Sequence, residues 1–399
     1  MEAWQRNLLL LWTGIFLTSS SYSMVIPFLP LFLVTIGVHD HLEIWSGFIF
    51  SAAFLAGALV SPYWGSLADK YGRKPMIIRS GITLCIIYLL TAFVTNPYEL
   101  VGLRILQGLL SGYVPSAIAL VGTNTPENKV GYAMAVISTS TAVGSIAGPL
   151  LGGAISHWFS NRIAFGSAGI LVLIATLLVI FWVKEVSFVP ANTRSRITDD
   201  VKDAVHNKRL VTLLISTMLT GFSIMTIEPL LPVYIIKLGS AAKDASLVAG
   251  ITFSLVGVAS MIFAARWGKF GDRVGYHRVL LIGLIGGGLG NVAQTFFHTL
   301  VGFGAIRFIY GAFFCAVFPA INALMVKVTV PQFRGRAFGL NQSANQIGTM
   351  LGPVVGGFVG GIWEVHSVFY LTGFLLLLTA IWVWKSSSSA RLALSNAEM

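Results

Sequence analysis

Twelve long apolar runs, separated by short polar breaks, lay out this chain. They fall at about residues 8–36, 44–67, 76–95, 99–121, 131–156, 163–184, 209–238, 246–267, 278–296, 300–325, 337–360 and 367–384. Roughly 20 apolar residues of α-helix cross the hydrocarbon core of a bilayer, which these runs match. A backbone amide finds no water to bond there, so spanning segments are helices or strands of a closed barrel. The two-residue alternation of barrel strands is absent from these runs. The pattern predicts an all-α membrane protein with twelve transmembrane helices, numbered spans 1–12 in chain order.

The polar breaks carry a repeat. Gly65-Ser-Leu-Ala-Asp69-Lys-Tyr-Gly72-Arg73-Lys74 returns as Gly268-Lys-Phe-Gly-Asp272-Arg273-Val-Gly275, with glycine, aspartate and glycine each shifted by 203 positions. Arg104 and Gly108 of span 4 return at the same shift as Arg307 and Gly311 of span 10. Pro27 and Pro30 of span 1 match Pro229 and Pro232 of span 7. Gly144, Gly148, Pro149, Gly152 and Gly153 of span 5 match Gly348, Gly352, Pro353, Gly356 and Gly357 of span 11. Shifts that stay between 202 and 204 positions predict two pseudo-symmetric six-helix bundles, 1–184 and 209–385, with a polar linker at 185–208 and a tail at 386–399. The linker carries an expected short surface helix near Ile197–His206 and is assigned no chemistry.

Composition agrees with a lipid solvent. Hydrophobic residues make up 55% of the 399 and charged residues 10%, against about 25% charged in an ordinary soluble domain. The net charge of +11 does not signal nucleic acid, because its distribution follows the spans. With the N-terminus inside, 21 of the 26 Lys and Arg fall in inner segments, 3 in outer loops, and Arg104 and Arg307 within spans. That bias puts both termini in the cytoplasm of a cell-membrane protein. The first apolar run is long enough to span and no small-residue cleavage site follows it, so no cleavable signal is expected. Cys85 and Cys315 both lie within spans and read as buried apolar residues.

Candidate chemistry is sparse. Glu228, directly before Pro229, is the one acid deep within a span. A lone carboxylate is costly to ionise in an apolar setting, which suits it to hold and release a proton. Arg104 and Arg307 read either as functional charges or as structural ties to carbonyls; Arg104 also lies close enough to a span end to snorkel. The proline pairs of spans 1 and 7 bend their helices and mark them as cavity-lining. Glycines four apart on spans 5 and 11 make smooth stripes, serving plain close packing or a packed pivot. The substrate-contact candidates are Tyr22, Phe222, Met225, Glu228, Phe318, Asn322, Asn341 and Asn345. No phosphate-cradling G-x-x-x-x-G-K-[ST] is present, the seven histidines form no metal cluster with thiols or carboxylates, and no nucleophile–base–acid set converges. Enzyme activity, a metal and a cofactor are not expected.

Together these signatures resemble the major facilitator superfamily of transporters across essentially the whole chain. Gly65 to Lys74 is similar to that family's loop 2–3 signature, Arg104 to Gly112 to its span 4 signature, and Gly144 to Gly153 to its antiporter signature. The chain is similar to bacterial 12-span multidrug:proton antiporters of that family, including in a glutamate on span 7. The resemblance implies a proton-driven exporter of lipophilic, cationic drugs that confers antibiotic resistance by alternating access. Gly65, Asp69, Gly72 and Arg73 would form a cytoplasmic latch that stabilises the outward-open state, with Asp272 and Arg273 as a weaker counterpart. Arg104 would assist proton coupling, Glu228 would carry the proton, and Gly144, Gly148, Pro149 and Gly152 would seal against leak. Span 1 departs from some family members in having serines at 19–21 and 23 instead of an acid. The implied partners are an amphiphilic small molecule, protons and the bilayer, with a monomer expected. An exporter of sugars or a flippase of a glycolipid precursor stays open as the alternative, with a channel or sensor behind it.

Overall fold

The computed structural model describes residues 2–126, 129–185, 204–205, 207–330 and 333–395. All regular structure among the described residues is helical. Among the described residues, nine helices or helix pairs are long and apolar enough to cross a membrane, and the bent pair Trp4–Met24 and Leu29–Thr35 makes a tenth. Tyr276–Gln294 and Arg334–Trp363, at 19 and 30 residues, complete the twelve expected spans as helices. They are less apolar because span 9 carries five glycines with Asn291 and Gln294, and span 11 carries arginines and amides near its start.

Local chemistry sets where spans begin. The side chains of Asn96, Ser160, Asn207 and Thr299 each accept a hydrogen bond from a backbone N–H three residues on, at Glu99, Ile163, Leu210 and Gly302. These caps satisfy first-turn donors that have no partner within the helix. Asn96 and Thr299 are themselves 203 residues apart.

Several spans are broken where the sequence removes or bends backbone. Span 1 turns by 50° between Met24 and Leu29, beside Pro27. Span 7 runs as Lys208–Ile227, a 3-10 turn at Glu228–Leu230, and Leu231–Lys237. Pro229 supplies no N–H for the helix to continue through, which accounts for the turn. Span 4 breaks between Leu110 and Tyr113, with Gly112 at φ 136°. Carbonyls freed by such a break need other donors in lipid. Trp64 Nε1 donates to Leu109 O at 2.7 Å, and Arg79 Nη2 to Ser111 O at 3.1 Å. Trp267, 203 residues beyond Trp64, donates in the same way to Ala312 O in span 10.

The chain packs as two compact units, one of Met1–Arg194 with Leu231–Gly257, the other of Ser195–Leu230 with Val258–Met399. The repeat and the packing therefore draw the boundary differently. In the first unit, Leu231–Lys237 lies against Leu29–Thr35, and the start of span 8 lies on span 5. There Ser254 Oγ donates to Ile146 O at 2.7 Å, and Gly250 sits against the Pro149 carbonyl. Phe28 and Phe32 of span 1 both meet Phe165 of span 6 edge-on at 5.0 Å, inside a hydrophobic cluster. The helix of span 12 continues to Ser395, so the first part of the expected tail is helical. The expected surface helix near Ile197–His206 falls largely outside the described residues.

Candidate functional site

Glu228 stands at the break of span 7, where the helix ends before Pro229. Its Oε2 is buried and has no hydrogen-bond partner. Within the same unit, Arg307 of span 10 is 4% exposed and lies near enough to interact with Glu228 electrostatically, as does Tyr310 one turn further along. The guanidinium also sits 5.6 Å from the Tyr310 ring centre. Arg307 Nη1 donates to Gln294 Oε1 at 3.3 Å. A buried carboxyl and a buried guanidinium thus stand near each other, with Glu228 Oε2 and Arg307 Nε lacking the bonds they would make in water. Such an arrangement is costly as pure structure, which makes it the strongest site in the molecule.

The resemblance gives Arg104 a part in proton coupling beside Glu228 and gives Arg307 none. The structure brings Glu228 together with Arg307 and puts Arg104 in the other unit. There Arg104 is 7% exposed, so it is buried and does not snorkel. Its Nη1 donates to Gln107 Oε1 at 2.6 Å, Gln107 Nε2 donates to Tyr88 OH at 3.4 Å, and the guanidinium lies 5.6 Å from the Phe165 ring. Its electrostatic neighbours are Tyr88 and Tyr22, and its Nε and Nη2 have no partner. The two arginines occupy repeat-related positions, but among the described residues only the second has a carboxyl group acting on it.

The glycine stripes bring backbones together. Gly144, Gly148 and Gly152 face Ser19, Ser20, Ser23 and Met24 of span 1. Gly348, Gly352 and Gly356 face Met218, Phe222, Met225 and Thr226 of span 7. Of the substrate candidates, Phe222 and Met225 therefore offer backbone and Cβ atoms to span 11. Asn341 Oδ1 accepts from Thr217 Oγ1 at 2.6 Å, whereas the buried Asn345 Oδ1, over Gly221, has no partner. Tyr22, in the other unit, is 42% exposed and meets Phe54 edge-on at 6.4 Å. On the second helix of span 10, Phe318 is half-buried and Asn322 exposed.

The charged turn after span 2 is held by a residue that sequence reasoning passed over. Gly65 is half-buried on span 2, and the side chain of Asp69 lies outside the described residues. Gly72 takes φ 97°, a left-handed value that glycine adopts without strain, and so turns the chain between spans. Glu185, just past span 6, then accepts from the N–H groups of Arg73 at 2.8 Å and Lys74 at 2.9 Å. This carboxylate caps the N-terminus of span 3 across more than a hundred residues, and the helix dipole favours it there. Arg73 Nη1 also donates to Thr123 Oγ1 at 3.2 Å. In the second copy, Tyr276 OH donates to Asp272 Oδ1 at 2.7 Å and Arg273 is exposed. Sequence holds one hint of Glu185: it is the first acid after the apolar run of span 6. Glu185→Ala is expected to lower stability by about 1 kcal/mol, the usual worth of such a cap. Thermal unfolding of the purified protein in detergent measures it, and an unchanged midpoint would contradict the capping role.

The comparisons agree with the fold. The Major Facilitator Superfamily matches residues 11–267 and 213–398. Multidrug resistance protein MdtG of Salmonella heidelberg (strain SL476) is 36% identical over 395 residues, covering 98% of each chain. MdtG of Salmonella arizonae is also 36% identical, over 98% of this chain and 97% of its own. Among solved structures, a bacterial homolog of the human lysosomal transporter Spinster, inward-facing and unoccupied, superposes with a TM-score of 0.80 at 13% identity, covering 97% of this chain and 98% of its own. The nucleoside transporter NupG (D323A mutant) gives 0.79 at 17% identity, over 95% and 99%.

Proposed function

Because this chain belongs to the Major Facilitator Superfamily, we propose that it is a multidrug exporter of the cell membrane, exchanging lipophilic cations for protons by alternating access with both termini in the cytoplasm. The observation that carries this reading is the buried Glu228 carboxyl at the span 7 break, beside Arg307. One carboxylate cannot hold a proton and pair with a cation at once. Binding of a proton from outside releases the drug, and loss of that proton inside resets the site. The multidrug names of relatives 36% identical over nearly the whole chain support the drug cargo.

The glycine stripes suit a carrier that changes shape. Spans 1 and 5, like spans 7 and 11, meet with little side-chain interlock, so small sliding motions meet little steric resistance. Reconstitution into proteoliposomes with an imposed pH gradient tests the whole reading, with cationic dyes, sugars and a glycolipid offered in parallel. Saturable dye movement driven by the gradient is expected. Movement of the sugar or the glycolipid alone would replace the drug reading by the alternative, and movement indifferent to the gradient would remove proton coupling.

A further inference from the structure

Arg307 is the end of a longer buried chain of polar groups. Gln294 accepts its Nη1–H, then donates from Nε2 to Asn291 Oδ1 at 3.0 Å and to Gly290 O at 3.1 Å. Asn291 Nδ2 donates to Thr372 Oγ1 at 3.2 Å, and that hydroxyl donates to Val368 O at 2.9 Å. Gln294, Asn291 and Thr372 are all 0% exposed. The chain crosses spans 10, 9 and 12 and ends on helix backbone.

Its direction is fixed by chemistry. A guanidinium has donors only, so Gln294 must turn its oxygen to Arg307. Its nitrogen then faces Asn291, whose oxygen must receive it. The Asn291 nitrogen is left to donate to Thr372. Every amide orientation follows from the charge at one end. Both amides are neutral, so they hold Arg307 without cancelling it.

We propose that Gln294 and Asn291 are positioning residues that bracket Arg307 away from a direct pair with Glu228 and thereby set the pH at which Glu228 exchanges its proton. The inference rests on the reading of Glu228 as the proton site. The charged and titratable groups facing the pair are few. Arg307 and Tyr310 come from span 10, Glu228 itself from span 7, and span 9 offers the neutral Asn291 and Gln294. Span 11 packs on the span 7 turn and meets span 7 just before it, with Gly352 and Gly356 against Phe222, Met225 and Thr226, and residues 352–360 include no ionisable side chain. Span 12 adds Thr372 and, two residues earlier, Tyr370, whose OH accepts from Thr295 at 3.0 Å.

The arrangement makes opposite predictions for two changes at one position. Gln294→Glu keeps size and still accepts from Arg307, but its negative charge neutralises the guanidinium. Glu228 then loses a favourable neighbour for its charged form and keeps its proton to higher pH. Gln294→Met removes the bracket without adding charge, so Arg307 is free to pair directly with Glu228. The carboxyl then gives up its proton at lower pH.

Infrared titration of the protonated-carboxyl stretch in nanodisc-held protein reads this without any substrate, with Glu228→Gln marking which band belongs to Glu228. We expect the midpoint to rise by about one pH unit in Gln294→Glu and to fall by a similar amount in Gln294→Met, one unit being a tenfold change in proton affinity. Asn291→Asp places its charge one group further from Arg307 and is expected to raise the midpoint by less. It serves as the second variant should a Gln294 change fail to fold. Lower thermal stability with an unmoved midpoint in the variants that fold would overturn the bracket and leave a structural network. A spectrum that Glu228→Gln does not alter would instead remove the proton-site reading on which the bracket rests.

Discussion

Glu228→Gln reduces pH-gradient-driven efflux to the level of empty liposomes, while the protein accumulates and folds as the wild type does. That is the expected result, and it follows from two features of the site. The buried Oε2 has no hydrogen-bond partner, so the native fold does not depend on a bond that glutamine would break. Glutamine removes one buried charge but leaves Arg307 without its acid neighbour, held by the neutral Gln294, so the variant is expected to melt close to or somewhat below the wild-type temperature. Glutamine also matches the size of glutamate and cannot titrate. Function is lost because the one group that alternates between charged and neutral is fixed neutral. Efflux at the wild-type rate with normal protein levels would end the assignment of Glu228 as proton carrier. Retained downhill binding of dye with lost pH response would support it most directly.

What the sequence makes legible here follows the physics of lipid. An apolar run of membrane length leaves a helix as the economical structure, so the twelve spans stand out, as does the bend at Pro27. The 203-residue shift marks positions where both halves kept the same residue, such as Arg104 with Arg307 and Trp64 with Trp267. It is blind where the halves diverged. Tyr88 corresponds to Asn291, Thr91 to Gln294 and Gln107 to Tyr310, so the polar groups around the two arginines share positions and not identities. That is why Arg307 reads as the lesser arginine in sequence and yet, among the described residues, is the one with a carboxyl group acting on it. Glu185 was hidden for a different reason. A cap reaching from the end of span 6 to the start of span 3 leaves no local spacing to recognise, and only the folded chain brings the carboxylate to Gly72.

The stripe on span 5 gives the other large expected effect. A side chain added at Gly148 would fall on Ser23 Oγ, the carbonyl of Ser20 and the amide of Met24. Two of these three are backbone atoms of span 1, which cannot rotate out of the way. Ser23 Oγ is itself tied to Ser19 O at 2.8 Å and Gly144 O at 3.1 Å. Overpacking a well-filled contact costs about 1–3 kcal/mol where side chains can yield. Here the helices themselves must separate, along a face that also carries Gly144 and Gly152. Gly148→Val is therefore expected to abolish transport and to leave little folded protein in the membrane. Gly166 of span 6 has nothing within 4 Å of where its Cβ would stand, so Gly166→Val is expected to behave as the wild type. The pair separates close approach from any general intolerance of valine for glycine in a helix. Equal protein levels and equal efflux in the two variants would mean that span 5 does not rest on span 1 through this stripe. Loss in Gly148→Val alone would show that the stripe works by backbone proximity, the property that a carrier needs if its helices are to slide past one another.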